Sequence, residues 1–404
     1  MIHRGSSVAM PANRPRVSTT RLRKVGGVIL APVLMAAILS LSAATSRAGS
    51  ITSAQILSQI QRCATVEISM LPHHPRTGWV HGVLYIGLID LYRATGNKTF
   101  LQPVLKIGNQ VHWNIRRFRR KLNSEISGNS YCFGQAITSV AGLHVVHVPL
   151  APLKARCGQM LRYFRATGNN PKKLAWWWCD SLFMAPAAFA HLSQLAGDPQ
   201  YVNAMNQQWW FVTRLLYDRK EHLFFRDHRF FKKKAANGRH VFWSRGEGWV
   251  LAGTARVLKY LPQNFPDRPR YIHLFQRMAA QIASLQGADG IWRPSLLDFK
   301  QFPTPESSGT ALDCYALAWG INHHLLSRRR YLPVVAKAWA GLLAMRNKAG
   351  DLAYVQKPGD QPALATAKLT KPYASGAFIM AGVQLMKLAP LNIPPIPKLA
   401  NKSR

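Results

Sequence analysis

With 404 residues and 48% hydrophobic composition, the chain has apolar mass for one large core or two ordinary domains, which excludes a disordered protein. Its 53 Lys and Arg against 16 Asp and Glu give a formal charge of +37, so every carboxylate is a scarce group and polyanions are drawn in at long range. No RNP aromatics, zinc finger or helix-turn-helix element stands out, and most of the charge is scattered among apolar helical segments, so no nucleic-acid partner is expected.

In chain order, residues 1–48 read as a signal peptide. Arg21, Arg23 and Lys24 precede the apolar run VGGVILAPVLMAAILSLSAA, and the small-residue stretch ATSRAG leads out to Gly49. The run is long enough to span a bilayer, so an uncleaved anchor is the competing reading. We expect an exported protein, periplasmic or secreted, with no membrane contact beyond this segment. Cys63, Cys132, Cys157, Cys179 and Cys314 are dispersed without a CxxC pair, so no zinc site is expected. Export would permit disulfides, with at least one thiol left over.

A phrase then recurs: LYRATGNKTF from Leu91, YFRATGNNPK from Tyr163 and LSQLAGDPQY from Leu192. Each is a helical pattern stopped by glycine (Gly96, Gly168, Gly197), followed by Asn or Asp and a new amphipathic run. Glycine accepts the left-handed turn that closes a helix, and Asn or Asp opens the next. The unit is a helix hairpin. The rhythm continues in GWVLAGTARVLKYLP, RYIHLFQRMAAQIASLQ, SSGTALDCYALAWGINHHLL, LPVVAKAWAGLLAMR and SGAFIMAGVQLMKL, with apolar residues three and four apart. Aromatic, turn-rich pieces such as LYDRKEHLFFRDHRFF are the places for small strands and functional loops. The pattern predicts an all-α chain of stacked hairpins, open or closed into a ring, in one domain over 49–392 with a flexible basic tail at 393–404. Basic clusters stand at Arg116 to Lys121, Phe231 to Lys234 and Ser327 to Arg330.

One stretch asks for chemistry. In WWWCDSLFMAP, from Trp176 to Pro186, three tryptophans and a cysteine precede Asp180. Burial beside indoles disfavours a charged carboxylate and raises its pKa, as a general acid needs. A helix-capping aspartate beside core tryptophans is the bland alternative.

Four blocks in order, WWWCDSLFMAPAAFAHLSQLAGD, LYDRKEHLFFRD, GRHVFWSRGEGWVLAG and ESSGTALDCYALAWGIN, resemble the unsaturated glucuronyl and rhamnogalacturonyl hydrolases, glycoside hydrolase families 88 and 105. The resemblance runs from about Gly78 to the helix SGAFIMAGVQL. It implies six helix hairpins closed into an (α/α) toroid, and hydrolysis of the unsaturated uronyl residue that a polysaccharide lyase leaves at a non-reducing end. The C4=C5 double bond is an enol ether, so one carboxyl can protonate C4 and its conjugate base can activate water for C5. By this resemblance Asp180 is the catalytic acid and base, and Trp178, Arg245 and Trp249 contact the sugar. Arg226 and His228 lie near a position often held by a substrate-binding histidine. In ESSGT, Ser or Thr caps a helix or lines the cavity. No cofactor and no metal are implied.

Departures from the family pattern fall at three places. RGEGW has Glu247 where asparagine is usual, able to pair with Arg245 or to oppose an anionic sugar. GNSYCFGQ puts Asn129 and Ser130 where relatives carry paired aspartates, leaving hydrogen-bonding capacity without charge. Lys371 stands in a place often acidic. The alternative function is therefore a non-catalytic carbohydrate-binding protein of the same fold.

Overall fold

The computed structural model describes residues 49–115, 127–168 and 170–399. The expected signal peptide at 1–48, the basic run at 116–121 and the last tail residues, 400–404, lie outside the described residues.

Helices come in pairs along the chain: α1 (Ser53–Ser69) with α2 (Trp79–Thr95), and α3 (Gln102–Gln110) with α4 (Tyr131–Ala141). Next are α5 (Ala151–Thr167) and α7 (Pro186–Ala196), separated by the short α6 (Ser181–Met184). Then follow α8 (Gln200–Leu216) with α9 (Ser244–Tyr260), α10 (Arg268–Ser284) with α11 (Ser307–Asn322), and α12 (Arg328–Ala344) with α13 (Pro372–Met386).

Hydropathy sorts each pair into an outer and an inner member. Helix α10 has one apolar stripe, burying Tyr271, Leu274, Phe275, Met278, Ala279 and Ile282, as a helix with one face to water should. Its counterpart α13 buries every residue from Tyr373 to Leu385, and a helix apolar on all sides belongs inside. The inner helices pack in sequence, α2 on α4, α4 on α7, α7 on α9, α9 on α11, α11 on α13, and α13 back on α2. The circle closes, so the expected six-hairpin toroid is the observed fold. Truncating a residue of this ring, such as Phe378→Ala, would cost about 3–5 kcal/mol.

The predicted hairpin punctuation is present. Gly96, Gly168 and Gly197 all have positive φ, at 69°, 51° and 65°. Asn97 and Asn170 each accept from the main chain two residues on, and Asp198 does the same for Gln200. Strand β1 (Gly49–Ile51) pairs antiparallel with β4 (Leu391–Ile393), joining the two ends of the ring domain. Ile393 is thereby buried in the sheet, although the flexible tail was expected to begin there. Strands β2 (Tyr217–Asp218) and β3 (Leu223–Phe224) form the small hairpin in the aromatic segment. All five cysteines are buried free thiols, so the disulfides that export would permit are not formed.

Candidate active site

The first turns of the inner helices meet at one end of the ring, where Trp79 of α2 lies 6.2 Å from Trp249 of α9 and 5.0 Å from Tyr373 of α13. Loops from the neighbouring hairpins rise around this end and enclose a cavity of about 620 Å³. Its walls include Asn129, Trp177, Trp178, Arg226, His228 and Arg229. This is the volume of a small-ligand site.

Asp180 sits beside this cavity at the N-terminus of α6, 6% exposed. Two distant pieces of chain are tied together here: the Cys179 N–H donates to the Arg226 carbonyl at 2.9 Å, which sets Arg226 Nε 3.2 Å from Asp180 Oδ2. Burial raises the Asp180 carboxyl above its ordinary value, and the nearby Arg226 and Arg245 cations only partly oppose that. Asp180 can therefore carry a proton and still find a cationic partner once it has given that proton away.

Arg226 is itself shared. Its Nη1 lies 2.7 Å from Oδ2 of fully buried Asp227, which also accepts from Nε and Nη2 of Arg229 at 2.9 and 2.8 Å. Burial pushes Asp227 up, but the two arginines more than cancel it, and the carboxyl lies below its usual range. Asp227 thus anchors two cations at the cavity wall.

Trp178 lines the cavity and is 6% exposed. Asn129 lines it too, on the turn Gly128–Ser130 that leads into α4. Ser130 is buried, and its hydroxyl has no partner among the described residues. Arg226 and His228 both line the cavity.

Arg245, Trp249 and Glu247 do not, and their expected sugar contacts need correcting. Arg245 is 1% exposed, and its fork is occupied: Nη1 donates to the Gln356 carbonyl at 2.8 Å and Nη2 to the Lys357 carbonyl at 2.9 Å. It braces the strap that follows Val355 and adds positive charge behind Asp180. Trp249 is packed between Trp79, Phe183 and Tyr373. Glu247 does not pair with Arg245; both carboxyl oxygens accept the Phe224 N–H, at 2.9 and 3.0 Å, and fasten β3 to α9. The glycines of RGEGW serve close packing: a Cβ on Gly246 would lie 3.2 Å from Cys179 Sγ, and one on Gly248 2.9 Å from Leu312 Cβ.

In ESSGT the cap is Glu306, not a hydroxyl residue: its carboxylate accepts the Ser308 and Gly309 N–H groups at 3.0 and 2.7 Å. Sequence reasoning also missed Trp177, which is 41% exposed in the cavity with Arg226 and Arg229 over its ring at 5.4 and 5.9 Å. Lys172 and Lys173 line the same wall on a turn held by Tyr163, whose hydroxyl donates to the Lys173 carbonyl at 2.8 Å. The usable signal was the density of cations in NNPKK and FRDHRF on either side of WWWCD.

The sequence matches Glycosyl Hydrolase Family 88 over residues 53–389. It is 34% identical over 325 residues to an unsaturated 3S-rhamnoglycuronyl hydrolase of Formosa agariphila, covering 77% of this chain and 85% of that protein. A protein of the same description from an Alteromonas species is 36% identical over 323 residues, covering 76% and 77%. The fold resembles a glycosyl hydrolase family 88 structure from Bacteroides vulgatus with a TM-score of 0.77 and 29% identity, covering 83% of this chain and 99% of that one.

Proposed function

Because the chain belongs to Glycosyl Hydrolase Family 88, we propose that it releases unsaturated uronyl residues from the non-reducing ends of lyase-cut oligosaccharides by hydrating the C4=C5 bond. The observation that carries this is Asp180: a buried carboxyl, raised by desolvation, with a cation 3.2 Å away and a cavity beside it.

The protonated carboxyl delivers its proton to C4, and positive charge develops at C5, stabilised by the ring oxygen. The resulting carboxylate, held by Arg226, accepts a proton from water as that water attacks C5. Asp180 is restored, and the hemiketal opens to release the sugar. One carboxyl suffices because the alkene supplies the activation that a second carboxyl provides in ordinary glycosidases. Trp177 and Trp178 offer apolar faces to the pyranose, Asn129 a hydrogen-bonding group, and Lys172, Lys173 and Arg229 attract the uronate carboxylate. The two curated relatives are named for a rhamnoglycuronyl substrate, and we take rhamnose as the first candidate for the sugar attached to the uronate. Export to the periplasm or beyond, read from residues 1–48, is part of the same proposal because lyase products of large polysaccharides arise outside the cytoplasm.

The test is the ultraviolet absorbance of the conjugated unsaturated uronate in lyase-cut rhamnose-containing and rhamnose-free disaccharides, with wild type beside Asp180→Asn. Decay with wild type and at least about a hundredfold less with Asp180→Asn supports the proposal. Absence of decay on every disaccharide, with binding retained, would favour the non-catalytic sugar binder instead.

A further inference from the structure

A second cavity, of about 680 Å³, lies on the outside of the ring between α5, α8 and the start of α10, and among the described residues it shares no lining residue with the first. An outer helix usually turns charged groups to water. Here α8 turns uncharged amides, Gln200, Asn203 and Gln207, into the cavity on successive turns, although Gln200 already donates one side-chain N–H to the Asp198 carboxylate. Each amide both donates and accepts, which matches the paired hydroxyls of a sugar.

Two further groups lie deeper. Gln208 lines the cavity at 5% exposure. Trp210 lines it too, and its buried indole N–H has no hydrogen-bond partner among the described residues. Arg165, Arg214 and Arg270 surround these groups, and Asp267, the only acid among the described lining residues, already accepts from Asn206 at 2.7 Å. The cavity therefore combines hydroxyl-matching amides with an excess of cations.

We propose that this is a second saccharide site, which holds an acidic oligosaccharide with its hydroxyls on the α8 amides and its carboxylate or sulfate groups on the arginines. A nucleic acid fits less well. The Arg270 guanidinium covers the Trp210 ring at 3.8 Å, so the face on which a base would stack is taken. The site would retain the enzyme on a polymer while the ring cavity works at chain ends.

The test uses the full chain carrying Asp180→Asn and calorimetric titration with saturated tetragalacturonate, maltotetraose and a short oligothymidylate. Tetragalacturonate is expected to bind, and to bind at least tenfold more weakly after Arg165→Ala with Gln207→Ala. Both residues are exposed, and unchanged thermal unfolding verifies the fold. In the otherwise wild-type chain the same pair should leave unsaturated-disaccharide turnover within twofold. Equal tetragalacturonate affinity in parent and double variant would overturn the site. So would oligothymidylate binding as tightly with the same loss. Failure to hydrolyse any unsaturated disaccharide would sink the proposed reaction while leaving this binding result standing.

Discussion

Arg226 holds its Nε 3.2 Å from Oδ2 of Asp180 while its Nη1 is committed to Asp227 at 2.7 Å. A cation serving Asp180 alone would oppose burial more strongly and favour the ionised acid. Sharing Arg226 with Asp227 leaves desolvation dominant, so Asp180 keeps the raised pKa that proton donation requires.

Removing that cation should therefore move Asp180 further up. The rate depends on the protonated acid, so it falls as pH rises through the Asp180 pKa, and Arg226→Gln should carry that falling limb to higher pH. The conjugate base also loses a charge-assisted hydrogen bond, worth about 1.5–3 kcal/mol, so kcat should fall roughly 10- to 100-fold. A pH–rate profile checks both. A limb moving to lower pH would contradict the role given to Arg226.

Glu247→Gln tests the corrected role of RGEGW. Glu247 is fully buried, and burial pushes its carboxyl well up, so a neutral amide of the same shape still offers an oxygen to the Phe224 N–H. We expect thermal stability within about 1 kcal/mol of wild type and kcat/KM within threefold. Glu247→Ala leaves that N–H unsatisfied and a cavity behind β3, and should cost about 2–4 kcal/mol. A large change in KM for Glu247→Gln would restore the sugar contact that this geometry removes.

Stability should decline from mildly acidic to mildly alkaline pH. Glu67 is 2% exposed, and burial, reinforced by neighbouring Asp351, pushes its carboxyl from the ordinary 4.5 up to about 8. Between those values the folded chain keeps a proton that the unfolded chain has lost, so stability is full at low pH and drains away as pH rises toward 8. The loss is on the order of a few kcal/mol. Melting temperatures from pH 5 to 8 should fall for wild type and fall less steeply for Glu67→Gln, in which the raised carboxyls of Glu247 and Asp313 keep part of the slope; an unchanged slope in the variant would assign the effect elsewhere.

The hairpins and the burial of Asp180 were legible because each leaves a local mark. Periodicity separates α10 from α13, glycine closes the helices, and a carboxylate beside indoles is conspicuous in so basic a chain. Arg245 was misread because a short motif does not say whether a guanidinium fork meets a ligand or the carbonyls of Gln356 and Lys357, more than a hundred residues later. Lys172 and Arg229 were lost among scattered positive charge, since their convergence on one wall exists only after the ring closes. Trp177 was passed over because it stands in one run of indoles between the buried Trp176 and Trp178.

Asn129 is the departure whose consequence is sharpest. Its turn packs against α6, where a Cβ on Gly128 would lie 3.2 Å from Ser181 Cβ, so position 129 faces the cavity one residue from the contact with Asp180's helix. An aspartate there adds a negative charge near Asp180, which raises the pKa of the acid further, and supplies a second acceptor for water approaching C5. It also opposes the uronate carboxylate. Asn129→Asp should therefore raise kcat severalfold at neutral pH, shift the falling limb upward and raise KM. A fall in kcat with an unmoved limb would mean that position 129 serves only to bind hydroxyls, and that the neutral side chain is matched to the sugar rather than a loss of catalytic power.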